Sequence, residues 1–266
     1  MKLGWYGFEL DLDGDWAPAT VNGNRASGYL RLASGGKVGL QLRWEAAKSQ
    51  PNLHRALEQY SAKLQKDAKR SKQKFSFESE SDVRGFAYRY SGTGFGRGRL
   101  WWDENTSRTV FLEAISRENE SLLAPLKKTF SAFRTTELET ECWAVLGLCV
   151  WLPRGAEVTK RVFVAGRTHL AFKSGRSEFW AERWGLADQL LRKHPLAEWA
   201  KSVTRLPKAK TVLVSNHMVE AIRPKNWFRP GAKALISVDE AANQISVVYS
   251  EFRESKWEPQ WDWLKK

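Results

Sequence analysis

"YLRLASGGKVGLQLRW", residues 29–44, returns later in the chain as "HLAFKSGRSEFWAERW", residues 169–184, aligned without a gap at an offset of 140. Leu30/Leu170, Ser34/Ser174, Gly35/Gly175, Arg43/Arg183 and Trp44/Trp184 are identical, five positions in sixteen. Each copy reads as a strand, a Ser-Gly turn and a second strand. A further echo follows in the same order: "DENTSRTVFLE" from Asp103 is answered by "DEAANQISVVY" from Asp239, at an offset of 136. Both read as an acidic turn running into an apolar strand. Self-similarity at a fixed spacing indicates a duplicated unit. The boundary falls in the acidic, threonine-rich "RTTELETE", Arg134 to Glu141, which divides the chain into repeats at 1–136 and 141–266.

Around this stretch, "WYGFELDL" alternates Phe8, Leu10 and Leu12 with acidic residues, as one amphipathic strand does. Leu53, Leu57, Tyr60 and Leu64 follow at helical spacing. Strands are predicted at "KFSFES", "GFAYRYSGTGFGRGRLWW" and "TVFLEAI", and a closing helix at Leu123, Leu126, Phe130 and Phe133 beside Pro125. The second copy is looser, with helices predicted over 184–191 and 195–203. It ends in the stripe Trp257, Trp261 and Leu264 beside Pro259. The expectation is an α+β fold of two tandem similar domains, each a largely antiparallel sheet flanked by helices. Such a chain would be pseudo-dimeric, one rigid body with an approximate two-fold.

That order of elements, opened by "GFELDLDGDW" and closed by "LLAPLKKTFSAF", resembles the Mog1/PsbP-like superfamily. The match covers residues 4–134 better than 143–266, and the proline expected before Trp16 is absent. The resemblance implies a helix–sheet–helix sandwich whose members mostly act as non-catalytic partners of other proteins. It transfers no catalytic residue, because the family has no common one.

The run "YRYSGTGFGRGRLWW", Tyr88 to Trp102, places glycine at 92, 94, 96 and 98. A phosphate-cradling loop needs a helix directly after its glycines, and none is predicted here. As extended chain the run sets four glycines on one face and Thr93, Phe95, Arg97 and Arg99 on the other. Two readings follow: a glycine-softened strand or hairpin beneath a helix, or a contact surface carrying Arg97 and Arg99. The adjacent Trp101 and Trp102 must point to opposite faces.

Net charge is +13, from 43 basic and 30 acidic residues. The excess is uneven: residues 51–100 carry 11 basic and 5 acidic side chains, residues 201–250 carry 8 and 3, and residues 101–150 carry 5 and 8. Lys63, Lys66, Lys69 and Arg70 gather at the predicted end of the first helix, followed by Lys72 and Lys74. Lys201, Arg205, Lys208 and Lys210 follow a helix at about the matching place in the second copy. Such clusters complement a helix dipole and also attract anions.

Candidate catalytic and metal motifs fail on spacing. "DLDGD", Asp11 to Asp15, has its glycine two places early for a calcium loop, and Asn22 stands where a bidentate glutamate is needed. His54, His169, His194 and His217 form no ligand pair, and Cys142 and Cys149 have neither zinc nor redox spacing, which suits reduced core thiols. No nucleophile or nucleotide motif occurs. No cofactor or metal is expected, and no run of about 18 apolar residues or signal-peptide core appears, so a cytoplasmic location is expected. The functional expectation is a non-catalytic adaptor whose basic surfaces meet an anionic protein partner or complex. The alternatives are nucleic-acid binding, with Phe95 or Trp101 for stacking, and an enzyme acting on a phosphorylated small molecule at Arg97, Arg99 and the glycine face.

Overall fold

The computed structural model describes residues 1–135, 139–204, 206, 209–226 and 230–252. It contains two compact units, Met1–Glu137 and Leu138–Lys266.

The first unit opens with the hairpin β1 (Lys2–Trp5) and β2 (Phe8–Asp11), followed by β3 (Ala17–Gly23), β4 (Ser27–Ser34) and β5 (Val38–Ala46). Helix α1 (Leu53–Arg70) leads to β6 (Ser76–Asp82), β7 (Gly85–Ser91), β8 (Phe95–Asp103) and β9 (Arg108–Ser116). A 3-10 turn at Glu120–Leu126, the short α2 (Lys127–Ser131) and β10 (Arg134–Thr135) close it. Its main sheet is antiparallel in the order β3-β4-β5-β9-β8-β7-β6, and β10 pairs with β2 beside β1.

The second unit repeats that plan. The hairpin β11 (Thr140–Val145) and β12 (Leu148–Pro153) precedes β13 (Glu157–Val164), β14 (Arg167–Ser174) and β15 (Ser177–Gly185). After α3 (Ala187–Leu191) and α4 (Leu196–Thr204) come β16 (Lys210–Ser215), β17 (Met218–Arg223), β18 (Gly231–Asp239) and β19 (Gln244–Phe252). The sheet order, β13-β14-β15-β19-β18-β17-β16, matches the first unit strand for strand.

Irregularities recur with the topology. The opening hairpins turn on Tyr6-Gly7 and Leu146-Gly147, 140 residues apart, with φ of 50° and 84° and of 50° and 78°. A two-residue hairpin turn of this kind needs positive φ at both positions. β3 and β13 bulge between Pro18 and Thr20 and between Val158 and Lys160. The last hairpins turn through Ser107 and Asn243, both left-handed.

The helix-flanked α+β sandwich expected from the sequence is not what forms. Strand accounts for 56% and helix for 16%, so the fold is largely β. α1 covers one face of the first sheet, packing Leu53 and Leu57 over Tyr88 and Leu100. The β1–β2 hairpin covers the other face, with Phe8 and Tyr6 against Trp44 and the Arg108 guanidinium donating to the Tyr6 carbonyl. "WYGFELDL" read as one strand because alternation on either side of a two-residue turn resembles uninterrupted alternation; left-handed Tyr6 breaks it. The stripe read as a closing helix is a 3-10 turn and one short helix, with Phe133 beyond both and packed edge-on to Trp101. Residues 184–191 are not one helix either, since Trp184 belongs to β15. The stripe at Trp257, Trp261 and Leu264 lies outside the described residues.

The 29–44 repeat also needs a correction. Ser34 pairs with Val38 in the first unit, whereas Ser174 pairs with Ser177 in the second, so the second turn is one residue shorter. Beyond the turn the offset is therefore 139, and a one-residue slip in a strand exchanges its faces. Trp44 packs on Phe8 of the opening hairpin, but Trp184 packs on Trp199 of α4. The identities at Arg43/Arg183 and Trp44/Trp184 join residues on opposite faces. The position answering Arg43 is Glu182.

Candidate functional site

The glycine run folds as a hairpin, with Gly92 and Gly94 in the β7–β8 connection and Gly96 and Gly98 within β8. The last two make room for aromatic rings. A Cβ at Gly96 would lie 2.1 Å from the Tyr90 ring, and one at Gly98 would lie 2.4 Å from that of Tyr88. Both tyrosines thus lie flat across β8 beneath α1, and neither glycine contributes to a phosphate loop.

Those rings point their hydroxyls toward Glu113. This carboxylate, on β9, is 3% exposed. Tyr60 of α1 donates to its Oε1 at 2.7 Å and Tyr88 at 3.1 Å, and the Tyr90 phenol lies beside them. Burial pushes Glu113 above the usual carboxylate range, with the phenol donors and the nearby Arg43 charge pulling the other way. Burial first, and then the carboxylate beside them, push Tyr60, Tyr88 and Tyr90 up, so all three remain donors at neutral pH. The Arg43 guanidinium lies over the rings of Tyr29 and Tyr60 at 5.3 and 5.5 Å.

Beside this cluster opens a cavity of about 420 Å³, lined by Arg31, Arg43, Lys63, Arg117, Tyr60, Tyr90 and Glu113 among others. Phe95 and Gly94 stand on its wall. On the opposite face, a larger groove of about 950 Å³ runs past Arg89, Arg97 and Arg99. There each arginine has a carboxylate: Arg89 meets Glu78 at 2.6 Å, Arg97 meets Glu120 at 2.8 Å and Arg99 meets Asp82 at 2.5 Å. The larger space is neutralised and the smaller one is not, so the smaller is the better candidate for a ligand.

The second unit places a different polar cluster at the matching point of its sheet. Glu182 Oε1 accepts from Arg167 Nη2 and lies beside His169 Nδ1, both at 2.6 Å, and Oε2 accepts from Trp184 Nε1 at 2.6 Å. Burial raises its pKa, but the His169 and Arg167 hydrogen bonds and charges outweigh burial and hold the carboxyl below its usual range. Trp180 stacks on Tyr249 next to it, with centroids 5.0 Å apart. Tyr249 occupies the place of Glu113, so the two units carry buried carboxylates on neighbouring strands rather than on equivalent ones.

The basic residues singled out from the sequence separate into groups. Lys63, Lys66, Lys69, Arg70, Lys72 and Lys74 are all exposed along and just beyond the C-terminal half of α1. Arg97 and Arg99 are ion-paired on the other face. Lys201 and Lys210 are exposed at the end of α4 and the start of β16, and Arg205 and Lys208 lie outside the described residues. Trp101, at 8% exposure, packs on Phe133 and offers no face for stacking. Among the described residues, no three His, Cys, Asp or Glu side chains converge as a metal site, and no helix is long and apolar enough to cross a membrane.

Sequence reasoning passed over Glu113, Tyr60, Tyr88, Tyr90, Arg43 and Glu182. Glu113 was visible as the one charge inside the apolar run "VFLEAI". No family model, curated protein or solved structure matches the chain.

Proposed function

We propose that the chain is a non-catalytic binding protein that docks an anionic protein partner on the C-terminal end of α1. One observation carries this reading: six exposed cations gather there, and among the described residues the one ion pair any of them makes is that of Arg70 with Asp67, at 4.0 Å. Lys72 adds to the case. It ends the helix in the left-handed conformation, φ 54°, where glycine is the unstrained choice and other residues cost about 1 kcal/mol. Backbone strain retained at a charged residue is a pointer to use of the charge.

A protein fits this surface better than nucleic acid does, because among the described residues the basic end of α1 has no exposed aromatic of the kind that stacks bases. The test is capture of partners from extract of the native cell, followed by rebinding of each in purified form. Lys66→Glu/Lys69→Glu/Arg70→Glu is expected to weaken rebinding at least about tenfold, as several screened ion pairs together would. Lys160→Glu/Arg161→Glu, on an exposed edge strand of the second unit, is expected to leave it unchanged. Equal loss from both variants would overturn the assignment to α1.

A further inference from the structure

The cavity beneath the flank of α1 is distinct in chemistry from the exposed basic surface. Five cations line it, and four of them, Arg31, Arg43, Lys63 and Arg117, make no ion pair among the described residues. Arg43 donates only to Gln41 Oε1, at 3.0 Å, and the Arg31 Nε is buried without an acceptor. Lys37, on the same wall, is already bound to Glu118 at 3.2 Å. Against these stand two carboxylates, Asp67 and the buried Glu113. A volume of about 420 Å³ falls within the range of small-molecule sites.

The two polarities restrict what fits. Unpaired guanidinium and ammonium groups call for an anion, and their number suits a dianionic phosphate better than a single carboxylate. Glu113 would repel a ligand that is anionic throughout, but it accepts a hydroxyl as readily as it accepts the phenols of Tyr60 and Tyr88. We infer that this cavity binds a small phosphorylated polyol, with its phosphate held by Arg31, Lys63 and Arg117 and a hydroxyl donated to Glu113. Arg43, fixed between the rings of Tyr29 and Tyr60, sits within the site and adds charge without needing to move. The inference shares only Lys63 with the docking surface.

Thermal unfolding with ribose 5-phosphate, ribose and inorganic phosphate, each at about 10 mM, tests it. Ribose 5-phosphate is expected to raise the first unit's Tm by about 4 °C, inorganic phosphate by less and ribose not at all. Lys63→Met/Arg117→Met changes exposed or rim side chains and is expected to abolish the rise while the protein remains folded. Glu113→Gln is expected to bring ribose 5-phosphate down to the level of inorganic phosphate. Lys66→Glu/Lys69→Glu/Arg70→Glu is expected to leave the rise intact, so failure of the docking reading and failure of this one are distinguishable. No rise with ribose 5-phosphate, an equal rise with inorganic phosphate, or a rise that survives Lys63→Met/Arg117→Met would each overturn the inference.

Discussion

Gly98→Val is expected to destabilise the first unit by about 3 kcal/mol, lowering its Tm by roughly 10 °C. Even a bare Cβ at this position would lie 2.4 Å from both the Cζ and the hydroxyl oxygen of Tyr88. The ring cannot rise, because Tyr60 packs on it from α1 and Phe77 stacks against it at 5.7 Å. Displacing it also withdraws one of the hydroxyl donors of the buried Glu113 carboxylate. Gly185→Ala is the comparison, since its nearest neighbours stand 3.7 Å away and its φ is not left-handed. A change near zero is expected there. Unfolding followed by near-ultraviolet circular dichroism measures both, and equal effects would show that the flat tyrosines are not what requires glycine.

The second large effect is in pH dependence, where the two buried carboxylates, Glu182 and Glu113, are expected to contribute with opposite sign. Glu182 sits below the usual carboxylate range in the fold, so its stabilisation is present above that range and is lost as pH falls through its native value. Protonation breaks the clamp with Arg167, His169 and Trp184. Glu182→Gln is expected to cost the second unit about 3 kcal/mol at neutral pH and to remove this acid-side loss. Glu113 is raised by burial, so the folded unit binds more protons there than the unfolded chain does. Its stability is therefore full in acid and declines as pH rises through the raised value. The groups facing it are Tyr60 from α1, Tyr88 and Tyr90 from β7 and Arg43 from β5, and the phenols do not titrate in this window. Glu113→Gln is expected to flatten that decline. Hydrogen exchange of each unit between about pH 4 and 7, in the unaltered chain and in each Gln variant, reads the two contributions as differences in slope, and differences of the same sign would refute the assignment.

Much of the strand plan could be read from alternation and turns, because a strand's period survives in one sequence without tertiary information. The duplication was legible for the same reason, through "YLRLASGGKVGLQLRW" and its echo. What escaped was geometry that depends on a single residue. Left-handed Tyr6 turned an apparent strand into a hairpin, which covers a sheet face that a helix was expected to cover. The missing residue in the second Ser-Gly turn put Trp184 on the other face from Trp44. The polar clusters escaped because their members lie far apart in sequence: Arg43, Tyr60, Tyr88 and Glu113 come from four different elements. By contrast, the basic end of α1 is local in sequence and was legible from Lys63 to Lys74.

The docking reading has its most direct test in purified components. Polyglutamate and a random-sequence DNA duplex of equal charge would be titrated against the chain from about 20 mM to physiological salt. The account predicts that polyglutamate binds more tightly than the duplex and weakens as salt screens it. It also predicts that Lys66→Glu/Lys69→Glu/Arg70→Glu lowers the polyglutamate affinity at least about tenfold. A duplex bound more tightly than polyglutamate, with log K falling by about 0.9 per phosphate against log salt, would contradict it, as would a triple variant that binds like the unaltered chain.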